Sequence, residues 1–233
     1  MSSAVLLRST IEARFPAAFA VRASRELICI PTGITAMDGL TGGIPLHCLT
    51  EICGSQVASS GKTSVLLALL AQVTQQGKFC ALVDAQDSFD PGTAAAAGVS
   101  LPHLLWVRCG KTRQKLRPLE QAFKVADMLL QSSGFGVIAV DLSGMAEKLV
   151  RKIPLSTWFR FSRVVEQQPA ALVFLEQEPH ATSCAGLVLR VMSEPATLSG
   201  KLLTKFHLRV EVMRTRERKP VQSANFAAKA QWA

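Results

Sequence analysis

The chain has 233 residues, of which 48% are hydrophobic and 18% charged, and its formal net charge is +9. This apolar content excludes an intrinsically disordered chain, and the length accommodates one α/β domain with a short arm. The excess of Lys and Arg favours a polyanionic partner, usually nucleic acid, over the alternative of a basic surface that is only solvated.

Cysteine usage and hydropathy predict a cytoplasmic protein with no membrane segment. No C-x-x-C pair is present and no His lies at zinc-ligand spacing, so the thiols are expected to be buried in a reducing compartment. No stretch approaches the roughly 18 apolar residues of a membrane helix. The six cysteines are Cys29, Cys48, Cys53, Cys80, Cys109 and Cys184.

The first 29 residues are predicted to form an N-terminal helix and a linker. Apolar residues have helical spacing over 5–15, and Pro16 ends or bends that helix. A connector over 17–30 would separate this arm from the main body. The arm is therefore available for docking on a neighbouring molecule, including a second copy of the chain.

From residue 30 onward, predicted strands and helices alternate. The predicted strands are 47–53, 79–83, 104–107, 137–140, 170–175, 187–191 and 206–212. The predicted helices are 36–40, 62–75, 91–97, 118–131 and 155–166. This order predicts an α/β fold with a mainly parallel sheet, helices on both faces, and antiparallel strands at the C-terminal end. The core domain is expected over 30–220, and a tail over 221–233 is expected to fold on a partner.

A phosphate-binding loop is predicted where the strand 47–53 leads into the helix 62–75. Its residues are Ser59, Ser60, Gly61, Lys62, Thr63 and Ser64. Backbone N–H groups at such a helix start point at phosphate, the lysine reaches the β- and γ-phosphates, and the hydroxyl of Thr63 binds Mg²⁺.

The spacing of this loop departs from the usual Gly-x4-Gly-Lys pattern. Gln56 stands five residues before Gly61, and the nearest upstream glycine is Gly54, so the loop is two residues too long. Two alternatives stay open: the longer loop still closes on ATP, or it no longer holds nucleotide. Asp141, which ends an apolar strand, is the expected Mg²⁺-orienting carboxylate.

Several segments together resemble bacterial RecA. They are 32–38, 43–45 leading into 49–54, 76–85 and 90–91. The resemblance runs along most of 30–230 and implies a RecA-like P-loop core with ATP and Mg²⁺ as ligands.

The departures from RecA bear on activity. Gln86 stands where RecA has the glutamate that activates the attacking water, and an amide cannot accept that proton. Asp87 would substitute only if its loop shifted. Gln177 matches the residue that senses the γ-phosphate, but the long DNA-binding loop that follows in RecA is missing. Hydrolysis is therefore expected to be slow or absent.

The resemblance also implies assembly. Arg214 and Arg216 match the RecA Lys-x-Lys pair that contacts the nucleotide of the next protomer. Residues 5–15 resemble the RecA helix that docks on a neighbour. Both features favour a homo-oligomer.

A small RecA-like chain without the long loop is similar to the ImuA family, which accompanies ImuB and an error-prone DnaE-type polymerase in damage-induced (SOS) mutagenesis. The resemblance implies an accessory factor that binds RecA or polymerase subunits during translesion synthesis. Two alternatives are a DNA-dependent ATPase of the recombinase class and an inhibitor of cell division similar to SulA.

A basic stretch lies where RecA has its first DNA-binding loop. Its candidate DNA-binding residues are Lys148, Arg151, Lys152, Arg160 and Arg163. Basic residues beside aromatics bind backbone phosphate and stack bases. Trp158 and Phe161 are nevertheless expected in the core, because they fall on one face of the predicted helix.

Overall fold

The computed structural model describes residues 28–55, 60–110, 117–199, 202–216 and 222–229. The predicted arm at 5–15 and Ser59 of the phosphate loop lie outside these residues. The strands are β1 (Cys29–Ile30), β2 (Ile44–Pro45), β3 (Cys48–Cys53), β4 (Phe79–Asp84), β5 (Leu104–Arg108), β6 (Phe135–Asp141), β7 (Ala171–Glu176), β8 (Leu187–Ser199), β9 (Leu202–Thr215) and β10 (Ser223–Lys229). The helices are α1 (Thr35–Thr41), α2 (Lys62–Thr74), α3 (Pro91–Ala96), α4 (Pro118–Ser132), α5 (Glu147–Val150) and α6 (Leu155–Val165).

Eight strands form one sheet in the order β10-β9-β8-β3-β7-β6-β4-β5. The pairs from β8 through β5 are parallel, whereas β9 is antiparallel to both β8 and β10. The predicted fold class, a mainly parallel sheet with antiparallel strands at its C-terminal end, is confirmed. The carboxyl ends of β3, β4, β6 and β7 meet at one edge of the sheet, where ligands bind in folds of this kind.

Helices cover both faces of the sheet, as predicted. On one face α1, α2 and α3 bury residues such as Met37, Leu69 and Ala94. On the other face α4 and α6 bury Phe123 and Trp158. Because both faces are covered, the central strands are apolar runs rather than alternating ones.

The aromatic residues of α6 belong to the core. Trp158 and Phe161 are 1% and 0% exposed, and both rings lie within 6 Å of the ring of Phe174 on β7. Phe123 of α4 completes the cluster with edge and tilted contacts. The expectation that these two residues of α6 are structural is therefore confirmed, whereas Phe159 on the same helix is 45% exposed.

The C-terminal boundary differs from the expectation. We expected a separate tail from residue 221, but Ser223–Lys229 pairs with β9 along its whole length. Phe226 packs on the core face that α2 covers. This part of the predicted tail is an edge strand of the core because its backbone groups complete the hydrogen bonds of β9.

Most of the cysteine thiols are buried, as the sequence predicts. Five cysteines are buried and none of the six forms a disulfide. Burial raises the pKa of the Cys80 thiol to about 12 and that of Cys109 to about 11. In the described part of the chain, no helix has the length and apolar character needed to cross a bilayer.

Candidate functional site

The phosphate loop connects the carboxyl end of β3 to α2. Gly61 precedes the helix with φ +81°, a left-handed conformation that glycine adopts without strain. A Cβ at Gly61 would lie 2.4 Å from Cδ2 of Leu208 on β9, and one at Gly54 would lie 2.4 Å from Oγ of Ser60. The two ends of the loop are therefore in contact, and a side chain of the antiparallel strand packs against its second glycine.

The side chain of Lys62 points into the protein rather than into solvent. Its side chain is buried, and Nζ donates to the carbonyl oxygens of Gly54 at 2.8 Å and Glu176 at 3.2 Å. The same carbonyl of Glu176 accepts from the backbone N of Gly54 at 3.1 Å. Burial lowers the pKa of the Lys62 ammonium, and the nearby carboxylate of Asp141 opposes that shift. The ammonium thus links the start of the loop to the end of β7 through these two hydrogen bonds.

Thr63 and Ser64 are exposed in the first turn of α2, and Ser60 is buried. Asp141 ends β6, where one carboxylate oxygen accepts from the backbone N of Ser143 at 2.8 Å. Burial raises the pKa of Asp141, and the charge of Lys62 opposes the shift. The structure brings Lys62 and Asp141 close enough to interact electrostatically at the carboxyl edge of the sheet.

The last residue of β4 and the segment that follows it include Gln86 and two aspartates with structural roles. Asp84 accepts hydrogen bonds from the backbone N of Phe89 at 2.8 Å and from Nε1 of Trp106 at 3.3 Å. Asp87 forms a two-point ion pair with Arg108, with contacts of 2.5 and 2.8 Å. Asp87 is therefore engaged with β5, and it does not lie in a position to replace the missing glutamate.

Gln86 and Gln177 both contact the segment that follows β6. Nε2 of Gln86 donates to Sδ of Met145 at 3.4 Å. Nε2 of Gln177 donates to the carbonyl oxygens of Ser143 at 3.2 Å and Met145 at 2.7 Å. Both amides thus stabilise a turn of the chain.

An acidic cluster lies behind this edge, in which Glu51 and Glu176 are buried and His180 is partly exposed. Oε1 of Glu51 accepts from the backbone N of His180 at 2.6 Å and of Ala181 at 2.7 Å, and the His180 ring contacts Glu176 at 2.6 Å. Burial raises the pKa of Glu176 to about 7, and the bond with Glu176 raises the pKa of His180. Sequence reasoning missed this cluster, although Glu51 within an otherwise apolar strand was a usable signal.

Arg214 and Arg216 lie on the other side of the sheet from α2. The β8–β9 register skips Met213, since Val188 pairs with Arg214 and Leu189 with Val212. This β-bulge turns both arginines toward α6, whereas Val210 and Val212 face α2. Arg216 forms an ion pair of 2.9 Å with Glu166, and Arg214 donates to the carbonyl of Thr182. Neither arginine lies beside Lys62 of its own chain.

The five candidate DNA-binding residues are all exposed. Lys148, Arg151 and Lys152 lie in and just after α5, interleaved with the exposed apolar side chain of Leu149. Arg160 and Arg163 lie on α6, where Arg160 pairs with Asp127 of α4 at 3.0 Å. The structure therefore keeps a basic surface around α5 and turns Arg163 toward the end of β9.

The chemical groups at the loop are of the types that bind a nucleotide with Mg²⁺. A helix start, an ammonium, a hydroxyl and a carboxylate are the groups that hold phosphates and magnesium. Lys62 must exchange its two carbonyl partners for phosphate oxygens, and Thr63 and Asp141 could then hold the ion.

Comparison with known proteins identifies a matching family model and several relatives. The family model described as RecA N-terminal domain matches residues 16–153, which is more than half of the 233-residue chain. "Protein RecA" of Methylococcus capsulatus is 39% identical over 123 residues, which are 52% of this chain and 33% of that protein. "Protein RecA" of Marinobacter nauticus is 40% identical over 120 residues, 50% of this chain and 32% of that protein. The chain thus spans about a third of the length of these relatives.

Proposed function

The chain belongs to the RecA N-terminal domain family, and from this premise we propose that it acts as an ImuA-like accessory factor in the DNA damage response. In this role it binds RecA or the ImuB-like and DnaE-type polymerase subunits during translesion synthesis. It assembles these proteins without turning over ATP at an appreciable rate. The observation that carries the proposal is the placement of Gln86.

Gln86 supports an assembly role because its amide cannot act as a general base. Efficient attack by water on a phosphoryl group needs a residue that orients the water and accepts its proton. At this edge the amide instead bonds to Met145, and the neighbouring carboxylate of Asp87 is paired with Arg108. A bound nucleotide would therefore persist and serve as a structural ligand.

In this proposal ATP and Mg²⁺ are held by Lys62, Thr63 and Asp141. The metal would neutralise phosphate charge, while the first turn of α2 would donate backbone N–H groups. Binding would break the two carbonyl contacts of Lys62, including the one to Glu176. Nucleotide binding would thereby remove a contact between the loop and β7. The affinity for nucleotide would be correspondingly modest.

Assembly into oligomers would use the opposite side of the domain. Arg214 and Arg216 would reach the nucleotide of a neighbouring copy, since the bulge in β9 turns them away from their own phosphate loop. The predicted helix at 5–15 would provide the second contact. DNA would contact Lys148, Arg151 and Lys152 around α5.

Two measurements test the proposal. Purified chain is mixed with RecA, and separately with ImuB-like and DnaE-type subunits, and complexes are measured by size-exclusion chromatography with light scattering. A stable complex with at least one of these proteins is expected, and its absence from all three mixtures would reject the accessory role. Fluorescent ATP with Mg²⁺ is titrated against the wild type and Lys62→Ala, and binding is expected only in the wild type.

A DNA-dependent ATPase of the recombinase class is the second candidate. The meeting of Lys62 and Asp141 at the carboxyl edge favours it, because these two groups are the ones such an enzyme uses. The two candidates differ in turnover. Phosphate release stimulated by single-stranded DNA would support the ATPase, and release at the buffer rate would support the accessory role.

A further inference from the structure

A cleft of about 640 Å³ opens between α6, the turn before β8 and the end of β9. Its polar and aromatic lining includes Phe159, Arg163, Glu166, Ser183, Arg214 and Arg216. Three guanidinium groups and one carboxylate thus share a concave space. The cleft lies on the face that α6 covers, whereas the phosphate loop leads into α2 on the opposite face.

The three arginines differ in the partners that their guanidinium groups bind within the protein. Arg214 donates to the carbonyl of Thr182, which fixes its position at the wall of the cleft. Arg216 is paired with Glu166, but both side chains of that pair are about half exposed, at 40% and 50%. Arg163 is exposed and has no ion pair with any residue that the structure describes.

The pair between Arg216 and Glu166 shows that a carboxylate fits the cleft at 2.9 Å from a guanidinium nitrogen. An exposed ion pair contributes little to stability, so an incoming carboxylate exchanges with Glu166 at low cost. Planar guanidinium groups match carboxylates through two parallel hydrogen bonds. Phe159, which is 45% exposed at the rim, adds an apolar contact for a neighbouring side chain.

We propose that this cleft binds an acidic peptide segment of a partner protein, with Arg163, Arg214 and Arg216 receiving its carboxylates and Phe159 receiving an apolar residue beside them. The inference extends the proposed accessory role, since it supplies a surface for a protein partner. The cleft shares no residue with the phosphate loop of its own chain. Because Arg214 and Arg216 are also the residues proposed to reach a neighbouring copy's nucleotide, the peptide would compete with that contact.

Charge and shape decide between the possible occupants. The N-terminal 27 residues of this chain carry four arginines and two glutamates, so a second copy would bring a basic arm to a basic cleft. Nucleic acid presents a continuous run of phosphates at fixed spacing, whereas the cleft offers three guanidinium groups within one concave space. A peptide can instead place single carboxylates between the guanidinium groups and keep its other residues at the rim.

The test uses the full chain and a fluorescein-labelled peptide of alternating glutamate and leucine, with binding measured by fluorescence anisotropy. Arg163→Gln should weaken binding by about tenfold, as expected for one lost charge-assisted hydrogen bond. Glu166→Gln should tighten binding, because it frees Arg216 from its internal partner. Arg190→Gln is the control: it makes the same change of charge at an arginine outside the cleft, which is 34% exposed and paired with Glu178, and it should leave affinity unchanged.

Opposite effects of Arg163→Gln and Glu166→Gln would support the cleft, since a purely structural role of both residues would not produce them. Equal affinity of the wild type and both variants would overturn the inference. Loss of oligothymidylate binding in Arg163→Gln, without any peptide binding by the wild type, would overturn it in favour of nucleic acid. Complex formation with RecA in the absence of peptide binding would reject the cleft alone, whereas the reverse would reject only the accessory role.

Discussion

Gln86 and Gln177 hold the same turn of the chain from two sides. Gln86 follows β4 and Gln177 follows β7, and both amides donate to Met145, which lies after the intervening strand β6. The resemblance to RecA implies water activation for the first of these positions and γ-phosphate sensing for the second. Here the pair connects three strand ends, and this arrangement leads to the first prediction.

Gln86→Glu should increase ATP hydrolysis. The change introduces a carboxylate that can accept a proton from water, and a positioned general base contributes about a hundredfold or more to such rates. Phosphate release with Mg²⁺ is the measurement, and Lys62→Ala in the same background should abolish the gain. An unchanged rate in a variant that binds fluorescent ATP would show that the missing carboxylate is not what limits turnover.

Gly61→Ala should destabilise the domain by about 2–4 kcal/mol. Alanine is strained in the left-handed backbone conformation of this residue, and its Cβ would clash with Leu208. The added Cβ would lie 2.4 Å from Cδ2 of Leu208. Gly77→Ala is the control, since Gly77 has φ +73° but nothing within 4 Å of an added Cβ. Urea denaturation should show the smaller loss for Gly77→Ala, and equal losses would argue against the packing of Leu208 on the loop.

Glu176 should make stability decrease as pH rises. Its pKa is raised from 4.5 to about 7, so its contribution is full below about pH 4.5 and is lost as pH rises through 7. The raised pKa of His180 acts in the same direction, and Glu51 and Lys62 are the other charged groups near Glu176. The effect is on the order of 3 kcal/mol.

Glu176→Gln tests this dependence because the amide mimics the protonated acid. The variant should be more stable than the wild type near pH 8, and the difference should disappear near pH 5. Glu178→Gln, two residues away in an exposed pair with Arg190, should keep the wild-type dependence. A Glu176→Gln variant with the wild-type pH slope would contradict the prediction.

Arg151→Glu with Lys152→Glu should weaken binding to single-stranded DNA and reduce its salt dependence. Each lost phosphate contact lowers the slope of log K against log salt by about 0.7, so a decrease of about 1.4 is expected. Lys78→Glu with Lys124→Glu is a matched control with the same change in net charge, at exposed lysines outside α5 and α6. Equal losses in the two double variants would mean that only net charge matters.

The elements of the fold could be predicted because their signals are local. A run such as 170–175 is apolar enough to be a buried strand wherever it lies, and Pro118 marks a helix start by its own geometry. β10 was missed because Ser, Ala and Asn, which make up most of Ser223–Lys229, favour strands only weakly. Its strand conformation depends on the hydrogen bonds that β9 offers.

The candidate site could be predicted only in part. Gly61 and Lys62 are recognisable from their spacing, but the bond from Lys62 to Glu176 joins residues 114 positions apart. The acidic cluster has the same character, since the pairing of β3 with β7 brings Glu51 and Glu176 together. The register shift at Met213 leaves no mark in the residue types around it, so the direction of Arg214 was not predictable.

Because of that register shift, the number of residues near the end of β9, rather than their type, determines which side of the sheet each side chain faces. Met213 is 44% exposed, so many side chains can replace it without cost to the core. Deleting the residue would restore strict alternation and rotate Arg214 and Arg216 out of the cleft into the space beneath α2. A one-residue deletion would thus move two positive charges from the α6 side of the sheet to the α2 side without changing any other amino acid.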